Sequence, residues 1–325
     1  MGYFMHLCAI NTFTGDKKNR VHKQYELIKN IIETNPNNHL EIIDKNFEKI
    51  DLDIYDSVVT SGDVKIIDPE SRIKFYRTIK SHKTSQLVRD VTFIRQIPNI
   101  TKLDVNNYPR FTWNSSVVNN NNFPYDKTYN RWLELRKKYN LTIKDYKKEG
   151  DKVLFILQIP GDTSVNELNF NGDGYLNFAI RTVKKILDNT DRNIVLRGHP
   201  LNFNQEKIVP HLLSIYKETK RVFKSTNIRL NEDLEEAKCV ISYNSSSTVE
   251  ALINGIKVIN ISNNQPCFDA ASKNIEDIEN LKELDRENFF KKISFLHWEN
   301  QEFESKDIRL YFASLIEKSM PRNKN

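Results

Sequence analysis

The stretch Cys239-Val-Ile-Ser-Tyr-Asn-Ser-Ser-Ser-Thr-Val-Glu-Ala-Leu-Ile-Asn-Gly-Ile-Lys-Val-Ile259 reads as strand, polar turn, helix, glycine, strand. Cys239-Val240-Ile241 is short and apolar enough for a buried strand, and Asn244 to Ser247 cannot continue it. Thr248 to Asn254 is a short helix ending at Gly255, before the strand Lys257-Val-Ile-Asn-Ile261. The turn presents backbone N–H groups and the side chains of Asn244, Ser245, Ser246 and Ser247 at a helix N-terminus, where the positive end of the dipole favours an anion such as phosphate. Glu250, three residues into the helix, is an acceptor-only carboxylate suited to a ribose diol. The same residues also fit an N-cap cluster with a capping-box glutamate, which is a purely structural use of the same atoms.

A second stretch, Asn193-Ile-Val-Leu-Arg-Gly-His-Pro200, is an apolar strand that stops at a Gly-His-Pro turn. Arg197 and His199 therefore sit near a strand's carboxyl end, the edge at which open parallel sheets bind ligands, and Pro200 bars helical continuation at His199. A lone histidine at such a place is more often an ordinary polar contact than a catalytic group. Here, however, the two turns follow successive strands with a helical and acidic segment between them, a βαβ rhythm that brings both to one edge. A nucleotide-linked donor has both the phosphate for the turns and the ribose for Glu250.

With these residues in view, the chain resembles transferases of the GT-B architecture, specifically the capsule-polysaccharide β-Kdo transferases and the bacterial sialyl- and polysialyltransferases. Those families carry a His-Pro motif and a downstream Ser/Thr motif that hold the donor's nucleotide phosphate. The matching residues are His199-Pro200 and Ser245-Ser246-Ser247, followed by Glu250-Ala-Leu-Ile-Asn-Gly255. Gln158-Ile-Pro-Gly-Asp162 is similar to the Gln-x-x-x-Asp of the capsule enzymes, and the tail from Asn274 through Trp298 resembles uncharacterised phage-encoded relatives. The resemblance spans roughly residues 85 to 300 and is close around the motifs. It implies an α/β fold of two Rossmann-like lobes whose parallel sheets face a central cleft. Sialyl-type enzymes take their base from an acidic-acidic-Gly motif in the first lobe. In the comparable segment Leu87 to Arg95 this chain has Asp90 as the sole carboxylate.

The 325 residues suffice for two lobes, each with its own core. A hydrophobic share of 38% with 28% charged residues excludes a disordered chain. No apolar run approaches the roughly 20 residues that cross a bilayer. The start Met1-Gly-Tyr-Phe-Met-His-Leu7 does not read as a leader, so a cytoplasmic location is expected, the host's if the chain is phage-encoded. Cys8, Cys239 and Cys267 are too few and scattered for a disulfide framework or zinc site and read as reduced packing residues. A net charge of +6 is mild beside the basic stripe of a dedicated nucleic-acid binder. The clusters at 17–20, 136–138 and 318–324 permit peripheral contact with an anionic surface, although solvated faces explain them equally well.

Residues 1–147 read as an acceptor-side lobe, 148–285 as a nucleotide-sugar lobe, and 286–325 as end helices that, by the resemblance, pack back on the lobes. Strands are expected at 40–43, 57–60, 92–94 and 152–158, and helices at 20–34, 131–139, 175–188, 205–221, 275–284 and 286–296. Residues 112–129 read as a long irregular loop whose Trp113, Phe123 and Tyr125 either stack on a ligand or pin the loop to the core.

The expected activity is transfer of a sugar from a nucleotide-activated donor, CMP- or UDP-linked, to an acceptor hydroxyl on a capsule-like glycan. His199, Arg197 and the turn at 245–247 meet charge developing on the leaving phosphate. Asp162 is the first candidate for the base and Asp90 the second. Asp162 after Pro160-Gly161 also fits a simple Asx turn. With no Asp-x-Asp in an evident strand-end position, no obligatory metal or other cofactor is expected. The alternatives are a phage-type enzyme glycosylating a hydroxymethylated DNA base, a nucleotide-sugar epimerase, and a non-catalytic nucleotide-sugar binder.

Overall fold

The computed structural model describes residues 5–11, 15–43, 50–61, 85–91, 108–114, 122–160, 165, 168, 174–199, 208–263 and 266–321. They fall into two units, Met1–Trp132 with Lys292–Asn325, and Leu133–Lys291.

In the first unit, β1 (His6–Ile10) leads into α1 (Gly15–Ile32), followed by β2 (His39–Ile43), β3 (Ser57–Ser61), β4 (Ser85–Val91) and β5 (Pro109–Trp113). The sheet order is β2-β1-β3-β4-β5, with the first four strands parallel and β5 antiparallel to β4. Cys8, Ile10, Ile43, Leu52, Tyr55 and Val58 make one core cluster on this sheet. The strand expected at 92–94 lies outside the described residues, which place β4 immediately before it.

The second unit contains most of α2 (Arg131–Tyr139) and then β6 (Lys152–Ile156), α3 (Gly174–Asn189), β7 (Asn193–Arg197), α4 (Ile208–Ile215), β8 (Val222–Lys224), α5 (Leu230–Glu236), β9 (Ala237–Ser242), α6 (Ser247–Ile253), β10 (Lys257–Asn260) and most of α7 (Arg286–Ile293). All five strands are parallel, in the order β10-β9-β6-β7-β8. Val153 to Ile156 are buried without alternation, as a strand covered on both faces requires. In α3, Tyr175, Phe178, Ala179, Thr182, Val183 and Ile186 recur at helical spacing and are all buried. They close a core with Ile194, Leu196, Cys239, Ile241 and Ile259 from the sheet. Two α/β units of this kind make the two-lobe, Rossmann-type, GT-B-like class expected from the sequence.

The last helix, α8 (Lys306–Ser319), packs on α1 in the first unit. Trp113 is buried there and donates from Nε1 to Ser319 Oγ (3.0 Å), while Phe123 is buried and the Tyr125 ring sits edge-on to Phe295. All three aromatics serve the core. The 136–138 cluster occupies the last turn of α2, and Lys318 the last turn of α8, where cations offset the helix dipole. Among the described residues, no helix is long and apolar enough to cross a membrane.

Candidate functional site

The second unit's chain runs outward from β6 to β7 and β8, then returns to lay β9 and β10 on the other side of β6. The strand order therefore reverses between β6 and β9, the topological switch point at which open α/β sheets leave a crevice outside their carboxyl ends. Ile156, Arg197 and Ser242 stand level in the sheet, with Asn260 beside Ser242. Beyond that line, Gln158 leaves β6, Gly198-His199 leaves β7, and Tyr243-Asn244-Ser245 leaves β9. The histidine turn and the serine turn thus depart from one edge on strands separated by β6, about 10 Å apart at a strand spacing of about 4.8 Å.

Gln158 and Asn244 face each other across the switch point. Gln158 Nε2 donates to Asn244 Oδ1 (2.6 Å), and the Asn244 backbone N–H donates to Gln158 Oε1 (3.0 Å). Each residue is only 7% exposed, so the pair makes a floor. The Gln158 backbone N–H in turn donates to the Tyr175 hydroxyl oxygen (2.6 Å). Burial pushes that phenol's pKa upward, so it remains protonated.

The serine turn is held from beneath as well. Ser245 N–H donates to Ser242 Oγ (3.1 Å), whose hydroxyl donates to Asn260 Oδ1 (2.8 Å). The Thr248 hydroxyl donates to Ser245 O (2.5 Å) and accepts from Asn260 Nδ2 (3.4 Å) and the Cys267 thiol (3.2 Å). Burial pushes Cys267 up to about 12, which keeps it a thiol and hence a donor. Ser247 N–H donates to Ser245 Oγ (3.3 Å).

The capping-box alternative does not describe this turn. Ser246 is the N-cap, its side chain makes no capping hydrogen bond, and Glu250 is the fourth helical residue rather than the third. Glu250 is half-buried on α6. Gly255 ends the helix as expected, at φ +76°, with Ile256 N–H donating to Ala251 O (2.9 Å) and Gly255 N–H to Leu252 O (3.1 Å), a Schellman closure.

Arg197 lies at the edge, but its guanidinium is directed at α5 and the loop before it. Nη1 pairs with Asp233 and donates to Asn227 O (3.1 Å), and Nη2 donates to Ile228 O (2.9 Å). Ser225 Oγ and Asn227 Nδ2 complete the shell of Asp233 (2.7 and 2.8 Å). His199 is half-buried at the end of β7. Asp162 and Pro200 lie outside the described residues. Asp90 is on β4 in the first unit, where it opposes Arg110 and accepts from its Nη2 (2.7 Å).

Sequence reasoning missed Ser242, Asn260, Thr248, Cys267 and Tyr175 as supports. The available signal was that Ser242 and Asn260 are polar residues closing apolar strands. Their pairing needed the strand register.

No protein-family model matches the chain, and no curated protein matches it. Among solved structures, the chain is similar to the β-Kdo 2,7 transferase of Thermosulfurimonas dismutans KpsC. Identity is 12%, coverage 94% of this chain and 99% of that one, and the TM-score 0.49. It is also similar to the β-Kdo 2,4 transferase of the same KpsC, at 14% identity, 80% of each chain and a TM-score of 0.43. The UDP-GlcNAc 2-epimerase of Methanocaldococcus jannaschii is a further similar structure, at 14% identity, 97% of this chain and 100% of that one, with a TM-score of 0.33.

Proposed function

We propose that the protein is a glycosyltransferase that binds a nucleotide-activated sugar on its second unit and transfers the sugar to an acceptor hydroxyl. The observation that carries this reading is the serine turn, clamped by Gln158 at the switch point and sharing its sheet edge with His199. Hydroxyls and N–H groups fixed in advance need not reorganise as charge develops on a departing phosphate, and this preorganisation is commonly the largest catalytic contribution. His199 adds a proton or a positive charge from the end of β7, across β6 from that turn. Arg197, already matched by Asp233, is assigned to holding the loop beside His199 rather than to the phosphate. Glu250 accepts from the ribose hydroxyls.

The base that receives the acceptor's proton is assigned to Asp162, at the end of the Gln158-to-Asp162 segment. Asp90 ranks second, because its carboxylate is already engaged by Arg110 on the neighbouring strand.

The test is a binding screen of CMP, UDP, GDP and their sugars by calorimetry, followed by an assay of the bound donor with glycan and hydroxymethylated-DNA acceptors. His199→Ala is expected to cut turnover by about 10²-fold or more. Glu250→Ala is expected to weaken nucleotide binding by about 1–3 kcal/mol. Donor consumed without any acceptor, and returned as an epimer, would replace transfer with epimerisation. Absence of binding by all the nucleotides would end the reading.

A further inference from the structure

We infer that Gln158 is a positioning residue for this reaction, acting through Asn244 to hold the front of the serine turn at the crevice; the role rests on the nucleotide-sugar reading above. Its carboxamide is used in both senses on one partner, accepting from the Asn244 backbone N–H and donating to the Asn244 side-chain oxygen. An amide meets that demand, and an apolar side chain of the same length removes both hydrogen bonds from Asn244 in a buried place. Its own backbone is fixed by the Tyr175 hydroxyl, on a helix whose apolar face is sunk in the core. A chain of contacts thus runs from α3 through Gln158 to Asn244, the residue immediately ahead of Ser245, Ser246 and Ser247.

The back of the turn has separate supports in Ser242, Asn260, Thr248 and Cys267. Loss of Gln158 therefore releases the front of the turn while its far side stays anchored. The consequence is local: hydroxyls that face the ligand lose their fixed spacing, and the fold persists. Gln158 is nearly buried and bonds Asn244 through both amide atoms, which makes Asn244 its route to the serine turn.

The experiment is a double-mutant cycle on the full chain with Gln158→Met, Asn244→Ala and the double variant. Affinity for CMP, UDP and GDP is measured by calorimetry at 15 °C and the unfolding midpoint separately. Gln158→Met is expected to weaken binding about tenfold or more. The double variant is expected to bind no more weakly than Asn244→Ala alone. Additive losses overturn the role, since they mean that Gln158 touches the ligand itself. A lowered midpoint with unchanged affinity of the folded protein also overturns it, because a merely structural contact behaves that way.

Tyr175→Phe, which removes one oxygen and keeps the ring in the core, gives the same readout if Gln158→Met unfolds below the assay temperature. Affinity is then expected to fall severalfold, and unchanged affinity overturns the role. A wild-type chain that binds none of the nucleotides overturns the proposed function and this role together. Wild-type binding that these variants leave untouched overturns the role alone.

Discussion

Arg131 illustrates how one residue's surroundings set its energetic weight. It is 1% exposed, donates to Glu302 through Nη1 (3.0 Å) and Nη2 (2.8 Å), to His297 O and to Ser294 O, and covers the Trp298 ring at 3.6 Å. Arg131→Ala takes the guanidinium from Glu302 and from two carbonyls; Glu302 keeps the Glu299 N–H (2.7 Å) and Ser294 O keeps the His297 N–H (3.1 Å), so the expected cost is that of losing hydrogen bonds to a charged group, about 1.5–3 kcal/mol. The denaturation midpoint should fall accordingly, and adding Glu302→Leu should recover part of the loss. No recovery would mean that the damage lies in the uncovered Trp298. None of this was legible in the sequence, where Arg131 marked only a helix start. Arg197 was read as a cation facing the phosphate from a strand end, because its pairing with Asp233, 36 residues away on α5, leaves no local signal in the sequence. The turn from Asn244 to Ser246 was legible as a break between strand and helix because its polar residues fall in one short stretch.

At the scale of elements, what the sequence exposed was what local physics decides. The run 152–158 was apolar without alternation, and β6 is buried through its length after Lys152. Of the helix expected at 205–221, residues 205–207 lie outside the described residues, and the rest is α4 and a 3-10 turn at Lys217–Thr219, with β8 following at Val222. Helical spacing across 208–216 carried the reading past the true end, because Lys220 closes the turn in the left-handed region without a glycine to announce it. Gly255 did announce its turn. Its φ of +76° is costly for any side chain, and a Cβ there would collide with the Asp145 carbonyl. The connector at that point is stitched to α6 and the glycine by Lys144 N–H to Ile253 O (2.9 Å) and Lys147 N–H to Gly255 O (2.8 Å). Gly255→Ala should therefore cost about 2 kcal/mol or more, the left-handed penalty of about 1–2 kcal/mol plus the displaced connector. Chemical denaturation reads this directly, and a midpoint within error of wild type would show that the connector yields freely.

For the whole molecule, the two-unit plan was readable from length and from the βαβ rhythm, whereas the return of the chain to the first unit at Lys292 was suggested by family resemblance alone. The cysteines were read as packing residues, and that reading has a consequence for pH. Cys8, Cys239 and Cys267 are fully buried, and burial, the leading cause in each case, pushes each thiol from 9.0 up to about 12. Burial also moves the phenols of Tyr55, Tyr175 and Tyr311 upward. Between pH 9 and 12 the native chain keeps thiol protons that the unfolded chain releases, so the native state binds more protons and stability falls as pH rises. Each thiol contributes a slope approaching about 1.4 kcal/mol per pH unit above its ordinary value, so by pH 10 the second unit, with Cys239 and Cys267, loses about 3 kcal/mol and the first, with Cys8, about half of that. That is a large share of the about 5–15 kcal/mol that holds a typical domain. The unfolding temperature should be nearly flat from pH 7 to 8.5 and then drop steeply. A thiol reagent at pH 8 should find none of the three cysteines in the native protein and all of them in denaturant. Replacing all three with alanine should lower stability at pH 7 through the cavities left behind and flatten the alkaline slope. If the triple variant keeps the steep slope, the proton release comes from the tyrosines instead.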